Sequence, residues 1–344
     1  DALYIQAFPR ECTEAFLEGH NRAFRFIGGV PRKIRYDNSK IAVAKITGSR
    51  ERQVTKEFQR LQSHYLFEPQ FCRVRRANEK GHVECLVDYG RANFLVPVPK
   101  VGSLVELNEM LEGRCRADLE RTLRGKDDTK ALLLEEESAA FLPFPAQECE
   151  ARRITQAHAN SLSLVRFDTN SYSIPVKHAH RTITVVATVD DVKLVFEDQL
   201  IARYRRHWGR ERFFFDPIHY LALLERKPGA FDYARPLADW QLPECLNVLR
   251  RRMERVPDGL GTREFIRVLL LLEKATLDEL AAAVEYAMSL GIADADTIRV
   301  VLEHKRESPV ALFCLDSRPH LKLVHVPPTD IAAYASLLDS ESST

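Results

Sequence analysis

Between residues 162 and 207 the chain changes its hydrophobic rhythm, and that change constrains the fold more than any other feature. Five short segments, residues 162–167, 171–176, 182–189, 192–196 and 200–204, alternate apolar and polar side chains and are rich in β-branched residues. An alternation of two is the signature of half-buried strands, and the turn signals Val189-Asp190-Asp191-Val192 and Glu197-Asp198-Gln199 join them into hairpins. The pattern predicts a small antiparallel β-barrel of about five strands. Helical spacing dominates on either side of it, so the chain is expected to be mixed, with more than one domain in its 344 residues.

Upstream, an apolar run at residues 2–8 ends at Pro9 and reads as a strand. Phe16, Leu17, Ala23 and Phe24 give a loose helical spacing closed by Gly28-Gly29, and Lys33-Ile34-Arg35-Tyr36 reads as a second strand. Strand, helix and strand make a βαβ unit, whose two strands are expected to lie parallel. Functional groups in parallel sheets collect at the carboxyl ends of strands, and Asp37 falls at such an end. Val54, Phe58, Leu61 and Tyr65 mark another helix, and residues 67–74 another extended piece. The next helix carries Glu84 near its start. There Val83, Leu86, Val87 and Phe94 form an apolar stripe that leaves Glu84, Asp88 and Arg91 on the other side. Should the strand end and the helix start share one cleft, Asp37 and Glu84 are hard oxygen ligands suited to Mg²⁺, as two-metal phosphoryl transfer requires. A strand as close to the first residue as 2–8 needs neighbours for its backbone groups, so we expect further sequence upstream.

Val96-Pro97-Val98-Pro99 stops the Glu84 helix and marks a domain edge. Leu104, Leu107, Leu111, Cys115, Leu119 and Leu123 then form a long amphipathic stripe, a second helix covers residues 129–141, and Leu142-Pro143-Phe144-Pro145 ends a helical connector. The last third is helical. Thr276-Leu277-Asp278-Glu279 has capping-box spacing and opens a helix that Gly291 closes. The expected domains are 1–99, 100–158, 159–212 and 213–310, with a tail at 311–344.

Charge and cysteine usage narrow the setting. With 50 Lys+Arg against 49 Asp+Glu, any nucleic-acid surface must be a local patch. Seven scattered cysteines without a Cys-x-x-Cys pair argue against a disulfide framework or a thiolate zinc site and for a reducing, cytosolic compartment. Val268 to Leu272 is the strongest aliphatic run and is far short of the roughly 20 residues of a membrane span.

Tyr36-Asp37-Asn38-Ser39-Lys40 and Glu79-Lys80-Gly81-His82-Val83-Glu84, with 46 residues between the two acids, resemble the second and third carboxylate motifs of a DDE integrase or transposase core. Within that superfamily the chain is similar to the IstA-type insertion-sequence transposases over nearly its whole length. The resemblance implies a fold of α/β plus β: an incomplete RNase H-like catalytic core, a helical connector, a small β-barrel and a helical C-terminal region. It implies a bacterial cytoplasmic DNA transposase that frees 3′ ends of an element and joins them to target DNA. Asp37 and Glu84 would hold two Mg²⁺ (or Mn²⁺) ions. Its implied partners are DNA, an AAA+ helper ATPase of the IstB type and further copies of the chain. That family's first catalytic Asp lies upstream of the strand corresponding to residues 2–8, and nothing here matches it or the family's N-terminal DNA-binding helices. Asp1 precedes the wrong strand to replace it. The resemblance therefore implies a C-terminal fragment without full activity. Two other readings stay open: an RNase H-like nuclease without strand joining, and a non-catalytic DNA-binding or assembly protein.

Several secondary sites have two readings each. Asn38, Lys80 and His82 adjoin the acids and either contact phosphate or are surface polar residues. Arg203, Arg205, Arg206, Trp208 and Arg210 belong to a strip of five arginines and two aromatics broken only by Glu211. The strip suits phosphate and base contact, or a solvated edge strand. His178 and His180 would share a strand face, but with no carboxylate or Cys nearby in sequence they do not suggest a metal site. Ile331, Tyr334, Leu337 and Leu338, beyond Pro327-Pro328, form either a peptide-like contact to the helper or a packed tail.

Overall fold

The computed structural model describes residues 2–36, 41–46, 52–72, 77–255 and 260–306. Two compact units divide the chain, residues 1–241 and 242–344.

The first unit opens with an extended segment that is not a strand. Its backbone groups go to side chains of a later helix: Asn108 Oδ1 accepts from Ala7 N at 2.8 Å, Asn108 Nδ2 donates to Ala7 O at 3.0 Å, and Ile5 N donates to Cys115 Sγ at 3.3 Å. The expected βαβ unit therefore does not form with residues 2–8. Side-chain partners have replaced the ladder that an extended segment otherwise requires. Helix α1 (Thr13–Ile27) follows and ends where Gly28 takes φ 79°, a left-handed turn that glycine adopts without strain. Strand β1 (Lys33–Tyr36) comes next, then β2 (Val43–Ile46) and β3 (Arg52–Val54) as an antiparallel pair. Thr55 caps helix α2 (Lys56–Tyr65) by accepting from Phe58 N, and β4 (Glu68–Phe71) pairs with β1 in parallel, Tyr36 opposite Phe71. The parallel pairing expected of β1 is thus made with the strand after α2. Leu17, Phe24, Val30, Phe58, Leu61 and Phe67 form the core between these elements.

Helix α3 (Ala77–Phe94) leads to the connector helices α4 (Leu104–Leu119) and α5 (Lys130–Ser138), each opened by a hydroxyl cap, Ser103 and Thr129. The predicted apolar stripe of α3 is only partly buried. Phe94 packs with Leu3, Leu111 and Cys115, whereas Leu86 and Val87 are 43% and 44% exposed.

The β-rich region forms two sheets and no closed barrel. One sheet runs β10-β9-β8-β5 and the other β11-β7-β6. Their strands are β5 (Arg153–His158), β6 (Leu164–Phe167), β7 (Asn170–Ser173), β8 (Thr182–Ala187), β9 (Asp191–Phe196), β10 (Gln199–Arg205) and β11 (Phe213–Phe214). Alternation reveals which side chains point inward but not which strands meet, and β5 and β11 take pairings the five-strand reading left out. Two-residue loops with positive φ at both positions, Asp168-Thr169 and Glu197-Asp198, turn the β6–β7 and β9–β10 hairpins. This is the geometry that matches strand twist. Tyr172, Ile174, Ile183, Val185, Val192 and Leu194 fill the space between the sheets. Helix α6 (Ile218–Arg226) and short 3-10 turns complete the unit.

The second unit contains α7 (Glu244–Met253), α8 (Leu260–Leu270), α9 (Leu277–Ser289) and α10 (Ala295–Arg306). Phe265, Val268, Leu269 and Leu272, the stripe legible in sequence, are buried, and the Thr276/Glu279 capping box is formed in both directions. Among the described residues no helix is long and apolar enough to cross a membrane.

Candidate functional site

The parallel β1–β4 pair sends both strands out at the same end of the sheet. Cys72 N donates to Tyr36 O at 3.0 Å, so the two chains stay in register to the last residue of β1. Asp37 follows directly in sequence; it and Asn38 lie outside the described residues. Helix α3 leaves the β4 side, and for Lys80, His82 and Glu84 the structure describes the helical backbone alone.

Tyr36 itself is built into the core. Its hydroxyl lies 2.9 Å from His20 Nε2, and His20 Nδ1 lies 2.7 Å from Phe16 O. A carbonyl can only accept, so Nδ1 carries the proton and Nε2 accepts from the tyrosine. Burial pushes the Tyr36 phenol far above its ordinary range and lowers the His20 imidazole, against a smaller opposing contribution from the Phe16 carbonyl. Phe58 meets the Tyr36 ring edge-on at 5.0 Å, with Phe71 tilted at 5.8 Å. The end of β1 is therefore held by hydrogen bonds and packing at once.

The carboxyl half of α3 is anchored by a buried polar node. Tyr89 donates to Asp118 Oδ1 at 2.7 Å, and Lys130 Nζ meets Asp118 Oδ2 at 2.7 Å with both side chains under a tenth exposed. Gly90 lies against the extended N-terminal segment, where an added Cβ would come within 2.2 Å of Ile5 Cδ1. The helix carrying Glu84 is thus pinned through its last two turns to the connector and to residues 3–5.

The arginine strip divides by environment. Arg203 pairs with Asp191 at 2.5 Å on the surface, and Arg205 and Arg210 are exposed with no ion-pair partner among the described residues. Arg206 is buried, at 3.0 Å from Glu14 on α1 and 2.7 Å from Asp168 in the β6–β7 turn. Its guanidinium also donates to Thr188 O at 2.6 Å and lies 4.0 Å from the Trp208 ring. Arg153 joins Glu14 and Asp168 at 3.2 and 2.8 Å, and Arg10 reaches Asp168 at 3.0 Å. Burial raises the Asp168 carboxyl, but bonds and charge from Arg153 and Arg206 outweigh it and hold it below its ordinary value. The Arg206 guanidinium is therefore committed to internal carboxylates, a placement the run of arginines in sequence does not betray. Nor does sequence announce Glu14, Arg153 or Asp168, since ordinary surface charges look identical along the chain.

A cleft of about 540 Å³ lies beside this network, lined by residues that include Tyr4, Phe26, Asn108, Arg205 and Trp208. Most of its cations are neutralised in place: Arg22 by Glu18 at 2.6 Å, Arg116 by Glu112 at 2.7 Å, and Arg25 by Glu148. Ser173, His219 and Asp216 have the residue types of a hydrolytic triad, with Ser173 Oγ 2.8 Å from His219 Nδ1. Ser173 is wholly buried, and its Oγ accepts the Asp216 N–H at 2.8 Å, so it is a packing node without access for substrate. His178 lies in a 3-10 turn and His180 has φ 61°, so the shared strand face is not formed. No cluster of three or more metal-binding side chains occurs among the described residues. Ile331, Tyr334, Leu337 and Leu338 lie outside them.

Residues 144–216, which enclose β5 to β11, match the family model for the C-terminal domain of Mu transposase. A transposase of Aminobacter aminovorans is 31% identical over 352 residues, covering 99% of this chain and 67% of its own length. The transposase for insertion sequences IS1326/IS1353 of Pseudomonas aeruginosa is 30% identical over 323 residues, covering 90% of this chain and 61% of its own. A Pseudomonas aeruginosa transposase for the element IS21 is 29% identical over 206 residues, 59% of this chain and 52% of its own. The chain belongs to the insertion-sequence transposases that include those of IS21 and IS1326, and it spans about two thirds of the first two relatives.

Proposed function

We propose that this chain contributes the second and third carboxylates and the DNA-holding β module of an insertion-sequence transposase that joins element ends to target DNA. The observation that carries the reading is the parallel β1–β4 pair, in register at Tyr36 and Phe71, with the Asp37 position directly after one strand and the Glu84 helix after the other. This order suits an RNase H-like core, and membership of the family supports it. Two carboxylates are hard oxygen donors of the kind Mg²⁺ or Mn²⁺ takes. Bound ions would supply charge stabilisation for the attacking and leaving oxygens of an in-line displacement at phosphorus. The chain's own contribution is to hold the ligand-bearing elements still, β1 through the His20–Tyr36 bond and α3 through the Tyr89–Asp118–Lys130 node.

DNA is the partner that family membership favours, met by exposed Arg205 and Arg210 and by the open sheets of the β module. An IstB-type helper ATPase and self-association belong to the same reading. The deciding experiment joins the chain to the upstream core of a family transposase, which supplies the first carboxylate, and compares that extended parent with its Asp37→Asn and Glu84→Gln variants for joining of DNA carrying the element's own ends in Mg²⁺, with Mn²⁺ binding followed separately by calorimetry. Both substitutions are expected to abolish joining and weaken ion binding. Retained joining by either variant removes that residue from the site.

A further inference from the structure

Strand β11 and the residue after it present three consecutive phenylalanines to alternate sides. Phe214 points inward and stacks on Tyr172 at 5.2 Å and 15°. Phe213 and Phe215 point the other way with nearly parallel rings, 9° apart and 6.2 Å between centroids, and Phe215 is backed edge-on by Tyr220 at 6.0 Å. Phe213 remains 47% exposed. The Arg235 guanidinium lies 4.8 Å from the Phe213 ring and 5.8 Å from Phe215.

A guanidinium lying over a ring keeps its in-plane N–H donors at its edge, free for an anion. Arg235 is exposed and has no carboxylate partner among the described residues, and the same holds for Arg210 and Arg212 at the approach to β11. Of the acids in this stretch, Asp216 turns back to cap α6, its Oδ1 accepting Ile218 N–H at 3.0 Å, which leaves Glu211. The surface thus offers an exposed π face with one unpaired planar cation, Arg235, over it and two more arginines earlier in the same stretch of chain. An aliphatic partner would use the ring but strand the cations, and a simple anion would use the cations but not the ring. The ligand that uses both is an unpaired nucleotide, its base on the ring and its phosphate on the Arg235 guanidinium.

We propose that Phe213, backed by Phe215 and flanked by Arg235, is a stacking platform for an unpaired nucleotide of DNA, such as one at a frayed or processed end. The proposal rests on the reading of the chain as a DNA-handling transposase and adds to it a site for single-stranded DNA.

The test uses the 344-residue chain, a labelled single-stranded oligonucleotide and a blunt duplex of the same length, with EDTA present so that no metal-dependent step intervenes. Anisotropy is expected to show Phe213→Ala weakening single-strand binding about tenfold, within the range of one lost base stack, with duplex binding changed less than twofold. Arg235→Gln should weaken single-strand binding and flatten its salt dependence. Phe213→Trp keeps a π face and should bind as tightly as the parent, with added indole emission that the oligonucleotide quenches. Single-strand affinity unchanged in Phe213→Ala, equal losses for single strand and duplex, or an unquenched Phe213→Trp each overturn the platform. Joining of element ends by the parent extended with the upstream core, with normal binding by Phe213→Ala, loses the platform alone. Stacking through Phe213 by the chain, with no joining by the parent extended with the upstream core, loses the catalytic reading alone. A parent chain that binds neither oligonucleotide overturns both.

Discussion

Glu14 on the first helix and Arg206 at the end of β10 meet at 3.0 Å, with neither side chain more than 1% exposed. The two sequence-distant residues are the inner pair of the network that ties the β sheets to α1. Charges buried this fully are costly to separate, because removing one leaves the other without water or counter-charge. Arg206→Leu is accordingly expected to cost about 3–5 kcal/mol in urea unfolding. The Glu14→Leu/Arg206→Leu double variant should cost less than the two single losses together by about 1 kcal/mol or more. Strict additivity would show that the contact contributes nothing specific.

His20 makes stability depend on pH with a definite sign. Burial holds its folded-state pKa below the ordinary value, so the unfolded chain binds the proton more readily. Its contribution is complete above about pH 6.5 and is lost as pH falls below that toward the folded value. Urea midpoints measured between roughly pH 7 and 5 should therefore decline in the parent and decline less steeply in His20→Asn. Asp168, whose pKa is also depressed, acts in a separate window below the carboxylate value and does not contribute there.

Two glycines separate a yielding clash from an unyielding one. A Cβ on Gly90 would meet the flexible tip of Ile5, whereas one on Gly261 would come within 2.1 Å of the Met253 carbonyl oxygen and 2.9 Å of Glu254 Cα. Gly90→Ala gains about 1 kcal/mol of helix propensity against an overpacking cost of roughly 1–3 kcal/mol. It should be modestly destabilising and be rescued by Ile5→Ala. Gly261→Ala meets backbone and should lower the melting temperature more, with no single side-chain substitution restoring it.

The capping box of α9 offers a local check on the second unit. Thr276 Oγ1 accepts from Glu279 N, and Glu279 Oε2 accepts from Thr276 N at 2.8 Å. Thr276→Ala should cost about 1 kcal/mol, measured by chemical unfolding, and Thr276→Ser should recover most of it.

What could be read from the chain, and what could not, follows from the range of the forces involved. Helix α1 with its Gly28 stop, the Thr276 cap, and strands β8 to β10 are set by neighbours a few residues away, so periodicity and turn chemistry reveal them. The fate of residues 2–8 depends on Asn108 and Cys115, about a hundred residues distant, and an extended apolar run has the same appearance whether it meets a strand or a helix. Barrel closure failed for a related reason, since the inward alternation of Tyr172 or Val185 does not say where β5 pairs. For the candidate site, local pattern marked the elements β1 and α3 but not the residues that hold them. His20 reaches Tyr36 across a helix-to-strand contact, and Arg206 among its neighbouring arginines carries no mark of burial.

The Glu14–Arg206–Asp168 cluster has a mechanical consequence. A load on the two sheets passes into α1 through three side chains that cannot slide without stranding a charge. Displacement of the sheets and of the β1 strand end, which α1 holds through the His20–Tyr36 bond, is then a single motion, not two.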